Sequence, residues 1–131
     1  MTPRTAQLIE GANRALASAQ TVLEAGDFET AAERACVAML RLAKACLDVD
    51  GFSPGPAGAV CSEYGRHFVQ TGRMYSAYFR WLLDAADLRK AAASDIAAPI
   101  DPGAAATVVE RAEIFRDATT RYVARSGRWP T

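Results

Sequence analysis

Apolar residues recur at spacings of three and four along most of this chain, beginning with Leu8, Ile9, Ala12, Ala15, Leu16, Ala19, Val22 and Leu23. That period places them on one helical face and predicts a first helix from about Pro3 to Ala25, closed by Gly26. Asp27 then caps a second helix, about Phe28 to Asp48, in which Phe28, Ala32, Ala35, Met39, Leu42, Ala43 and Cys46 leave little of the circumference polar. A helix apolar nearly all round belongs at the centre of a fold. Gly51 ends it, and the stretch from Asp50 to Pro56 is a loop by composition. Pro56 opens a short third helix carrying Val60, Tyr64 and Phe68, stopped at Thr71-Gly72.

The segment from Arg73 to Ala93 predicts a fourth helix with Tyr75, Tyr78, Phe79, Leu82 and Ala86 on one face. A looser stretch from Ser94 to Ile100 follows. Asp101-Pro102 then supplies a cap and a proline at the first helical position, and Val108, Ala112, Phe115, Thr119 and Tyr122 form the stripe of a last helix ending near Arg125. No segment alternates like a half-buried strand. The expectation is an all-α fold, an antiparallel bundle of four long helices with one short additional helix, spanning residues 1–131 as a single domain with a flexible tail at 126–131. The run Gly26-Asp-Phe-Glu-Thr-Ala-Ala-Glu33 resembles the turn and second helix of a tetratricopeptide unit, but no second copy recurs at the period of about 34 residues, which argues against a solenoid.

Arg89 breaks the pattern. It falls on the apolar arc of the fourth helix, where a guanidinium must snorkel, pair with a buried acceptor, or line a site or interface. Arg34, Val37, Arg41 and Lys44 make a second unusual feature, a basic stripe with an apolar residue in its middle on the outer face of the second helix. Such a stripe suits an RNA backbone or an acidic partner, or is ordinary solvated charge. Arg80, Asp84 and Asp87 read as a solvated face, with Arg80 and Asp84 paired four residues apart.

Charge and composition narrow the classes. Fifteen basic residues balance fifteen acidic ones, so no global field draws the chain to nucleic acid or to an anionic membrane. No run is long and apolar enough to span a bilayer, and Met1-Thr2-Pro3-Arg4 leads directly into an amphipathic segment, which makes a cytoplasmic location the default. Cys36, Cys46 and Cys61 lack C-x-x-C spacing and lie within helical patterns, so they read as small buried apolar residues. His67 is the only histidine; six residues from Cys61 on one helix it faces away from that thiol, and Glu63 is its expected partner. No E-x-x-H, zinc pattern, P-loop or dinucleotide fingerprint is present, so neither a metal nor a cofactor is expected.

From Ala25 to Leu47 the sequence AGDFETAAERACVAMLRLAKACL resembles the signature second helix of prokaryotic HEPN domains, with Cys36 and Val37 where tyrosines are usual. His67-Phe-Val-Gln-Thr-Gly72, then Leu83 to Arg89, then the helix introduced by Asp101-Pro102 continue the resemblance in order. It implies a helical bundle that commonly dimerises, with a site near Arg89. Many members of the family are metal-independent ribonucleases with an R-x4-6-H motif, and others pair with a minimal nucleotidyltransferase in toxin–antitoxin systems. Arg89 matches the motif's arginine, but the histidine position offers only Ser94, Asp95 or Ile96. The obvious general acid or base is missing.

The sequence therefore leads to a non-catalytic or weakened HEPN-type module binding a nucleotide, an RNA or a protein partner such as a nucleotidyltransferase. No catalytic residue is assigned. Arg89, Asp95, Arg34, Val37, Arg41 and Lys44 are the candidates for ligand or interface contact. Two alternatives stand beside this: a divergent ribonuclease using Arg89 with Asp95 or Ser94, and a helical dimerisation domain without a ligand. A homodimer is expected, since Val37 reads as exposed between basic residues and Arg89 needs shelter.

Overall fold

The computed structural model describes residues 2–53, 55–92 and 99–126, and all regular structure among them is helical. Five α-helices pack together: α1 (Pro3–Glu24), α2 (Phe28–Val49), α3 (Ala57–Tyr64), α4 (Ser76–Ala92) and α5 (Pro102–Arg125), with a π-helical turn, Gly65–Val69, continuing α3. The predicted boundaries of α1, α2 and α5 hold to within a residue or so because their caps are explicit. Thr2 accepts from the Thr5 amide, Asp27 from Thr30 and Asp101 from Ala104, each hydroxyl or carboxylate satisfying an amide the first turn leaves open. Gly26 and Gly51 close α1 and α2 at φ of 87° and 90°, where a Cβ would be strained.

α2 is the central element and packs against all four other helices. Its alanines, Ala31, Ala32, Ala35, Ala38, Ala43 and Ala45, are buried and let neighbouring backbones approach closely, while Met39, Leu42 and Leu47 fill the remaining volume. The short turn at Ala25–Asp27 folds α1 back along α2. Asp48 clasps the far end of that hairpin, accepting from Thr2 Oγ1 at 2.7 Å and from the buried Thr5 Oγ1 at 2.5 Å. Gln20 donates to Glu113 at 2.9 Å and ties α1 to α5. An aromatic cluster of Tyr64, Phe68 and Phe115, with ring centroids 5.1 and 5.4 Å apart, occupies the space between α3 and α5.

The π-helical turn displaces one predicted contact. In a regular helix Glu63 and His67 would share a face, but the Gln70 amide reaches back five residues to Gly65, and the wider turn rotates His67 away. Glu63 pairs with Arg66 instead. Gly65 is required here by space, since a Cβ would lie 2.7 Å from the Phe79 ring. The Arg80–Asp84 pairing is likewise replaced, as Asp84 meets Arg111 of α5 at 3.4 Å, and Arg111 lies over the Trp81 ring. Val37 is half-buried and packs against the core rather than standing exposed. Its helix is embedded deeply enough that position 37 is only partly open to solvent.

Candidate functional site

Arg89 lies in the last turn of α4, where Arg89, Lys90 and Ala91 are all exposed. The buried stripe of α4 is Tyr78, Leu82 and Ala85, and the same spacing carries on to Arg89, where the helix has passed the edge of the core. Tyr75, expected on that arc, is 74% exposed because it precedes the helix. Among the described residues no salt bridge includes Arg89. Its charge instead meets a groove of about 560 Å³ between α2, α3 and α4, walled by Leu40, Cys61, Phe79, Leu83 and Ala86, with Asp87, Arg89 and Lys90 alongside. Arg89 is close enough to α2 to favour the thiolate of Cys36, although burial dominates and pushes that thiol up to about 12. Asp95, with Ser94 and Ile96, lies outside the described residues.

The basic stripe on α2 is more committed than the sequence indicates. Arg34, Val37, Arg41 and Lys44 are all half-buried. Arg41 Nη1 donates to the Gly11 carbonyl at 2.9 Å, and its side chain covers the face of Gly11, so it ties α2 to α1. Asp48, a turn beyond Lys44, adds an acid at the end of the same stripe and is engaged by α1. Arg34 and Lys44 form no ion pair among the described residues. The three cysteines are free and buried. Burial pushes Cys46 up to about 12 and raises Cys61, leaving little nucleophilic thiolate near neutral pH. No cluster of three or more metal-ligating side chains occurs among the described residues.

Sequence reasoning missed a polar network at the opposite end of α4. Asp50, just past α2, accepts on one oxygen, Oδ2, from Tyr122 OH at 2.6 Å, His67 Nε2 at 3.1 Å and Arg73 Nη1 at 3.3 Å. Arg73 Nη1 also lies 3.1 Å from His67 Nε2. Phe52 meets the imidazole edge-on at 4.3 Å and Phe68 at 4.8 Å, shielding it from two sides. Burial, followed by the proton that Tyr122 shares with Asp50 and by the Asp50 charge, pushes the phenol up to about 12. The network therefore holds Tyr122 protonated. The available signal was the coincidence of a lone histidine, a polar loop residue and a tyrosine ending an otherwise apolar stripe, but pairing them requires the tertiary fold.

Arg89 and His67 are thus not brought together. The rise of 1.5 Å per residue separates Arg89 from Ser76 by on the order of 20 Å along α4, and the His67 network lies beyond the Ser76 end. No helix among the described residues is long and apolar enough to cross a membrane. No protein-family model matches this chain, and no curated protein matches it.

Proposed function

We propose that the chain is a non-catalytic HEPN-type module, built as a four-helix bundle with one short extra helix, that binds a nucleotide or a single-stranded RNA segment at the Arg89 groove. The observation that carries this reading is the separation of the two groups a HEPN ribonuclease needs. The arginine stands at one end of α4 with no ion pair among the described residues, while the only histidine is tied to Asp50 and Arg73 at the other. A guanidinium can hold a phosphate but cannot itself take the proton of the attacking 2′-hydroxyl, and no imidazole stands beside it. Arg89 and Lys90 offer donors to the phosphate, and Phe79 and Leu83 offer an apolar wall to a base.

A second reading is favoured by the groove's apolar lining. Leu83 is 38% exposed beside Leu40 and Phe79, a surface that also suits a protein partner, whether a nucleotidyltransferase within a toxin–antitoxin or defence system or a second copy of the chain. Filter retention of labelled single-stranded RNA, with the strand then examined for integrity, tests the first reading. Retained, uncut RNA that is lost with Arg89→Ala is expected. Cleavage that disappears in that variant would restore the ribonuclease reading, and no retention together with twice the chain mass in sedimentation would favour the partner surface.

A further inference from the structure

The second end of α4 holds a site of its own. A hollow of about 300 Å³ is lined by Gly72, Arg73, Met74, Tyr75, Tyr78 and Ala118 together with Arg121 and Arg125. Three guanidinium groups therefore converge on one hollow in a chain whose net charge is zero, and no carboxylate lines it among the described residues. Arg121 and Arg125 are four residues apart on the exposed face of α5, and neither enters a salt bridge among the described residues. Like charges at that spacing repel each other and are relieved when an anion sits between them.

Arg73 is held differently. Asp50 accepts from its Nη1 and Tyr122 also bonds to the side chain, so the guanidinium is fixed while nearly half of the side chain stays exposed along the hollow. A fixed planar fork is a stronger anion receptor than a mobile one, because less side-chain freedom is lost on binding. Beside the arginines, Tyr75 is 74% exposed and stands edge-on to Tyr78 at 5.6 Å, which leaves a ring face bare. An exposed tyrosine beside a cluster of arginines offers one surface for a planar ring and another for an anion.

A second basic hollow, lined by Arg4, Arg14 and Arg41 between α1 and α2, lacks these features. Arg41 is spent on the Gly11 carbonyl, Arg4 faces Asp48, and no aromatic ring is present. We infer that the hollow between the start of α4 and the end of α5 binds a free small phosphate ester bearing a planar ring, with the phosphate on Arg73, Arg121 and Arg125 and the ring against Tyr75. Its size suits a small molecule, since ligand pockets begin at about 300 Å³. This site is separate from the Arg89 groove and stands or falls independently of it.

Calorimetric titration of the full chain with phenyl phosphate, and with glycerol 3-phosphate as a ringless counterpart, tests the assignment. Saturable binding is expected, tighter for phenyl phosphate. The double variant Arg121→Ala/Arg125→Ala should weaken both probes by about tenfold or more, the loss of at least one charge-assisted contact. Tyr75→Ala should bring phenyl phosphate down to the level of glycerol 3-phosphate. These side chains are exposed, so the variants keep the fold, which circular dichroism verifies. Arg14→Ala, on the other basic hollow, should bind as the parent does. Absence of saturable binding, equal affinity for the two probes in the parent, or an equal loss with Arg14→Ala would overturn the site.

Discussion

Replacing Asp50 by Ala removes the acceptor for three donors at once. Tyr122 makes the shortest of these contacts, 2.6 Å to a carboxylate that is 16% exposed, and a charge-assisted bond of this kind contributes about 2 kcal/mol. His67, 22% exposed, adds about 1 kcal/mol, and Arg73, nearly half-exposed, adds a few tenths because solvent screens it. The expected destabilisation is about 3 kcal/mol, which for a chain of this length lowers the melting temperature by about 10 °C. Asp50→Asn keeps a carbonyl acceptor without the charge and should lose about half as much. Urea unfolding of the parent, Asp50→Ala, Tyr122→Phe and the double variant gives the coupling directly, with about 1–2 kcal/mol expected between Asp50 and Tyr122. A loss below about 0.5 kcal/mol for Asp50→Ala, the level of an ordinary surface substitution, would refute the idea that this network fastens α2, the π-helical turn and α5 together.

Arg89→Ala should melt within about 0.5 kcal/mol of the parent, since the guanidinium is exposed and has no ion pair among the described residues; thermal melting checks this, and a loss of several kcal/mol would point to a buried acceptor. Stability should fall as pH rises above about 9, because Cys36 and Cys46 ionise near their ordinary range in the unfolded chain but only at about 12 when folded. Each then costs about 1.4 kcal/mol per pH unit, so a loss of about 3 kcal/mol between pH 8 and pH 10 is expected in urea unfolding, and Cys46→Ala should flatten that slope by about half. Gly65→Ala forces a Cβ into the Phe79 ring and should cost about 1–3 kcal/mol in the same assay, whereas Gly58→Ala, with open space around its backbone, should cost far less.

Helix boundaries were legible wherever a cap was written into the chain, as at Asp27, Asp101-Pro102 and Gly26, because capping is a local interaction between neighbours in sequence. The central position of α2 was legible for a similar reason, since its apolar residues cover most of its circumference. The contacts of His67 were not. A wheel assumes a regular α-helix, and the π-helical turn at Gly65–Val69 breaks that assumption at the residue in question. Val37 misled because the wheel gives relative orientation within a helix but not how deeply neighbouring helices enclose it. Arg89 does continue the line of the buried stripe of α4, yet where the core ends along that stripe is a tertiary fact. The Arg73, Arg121 and Arg125 hollow joins side chains from two helix ends far apart in sequence, and no local pattern predicts it.

The central claim is that the Arg89 groove binds a nucleic-acid ligand without cleaving it. Titrating isotopically labelled protein with a short single-stranded RNA, and following backbone amide shifts by nuclear magnetic resonance, tests this directly. The account predicts saturable shifts gathered on Gly58, Cys61, Leu83, Arg89 and Lys90, with the RNA recovered intact and the response lost in Arg89→Ala. Shifts confined to other surfaces, no shifts at all, or an RNA strand cut in the parent sample but not in the Arg89→Ala sample would contradict it.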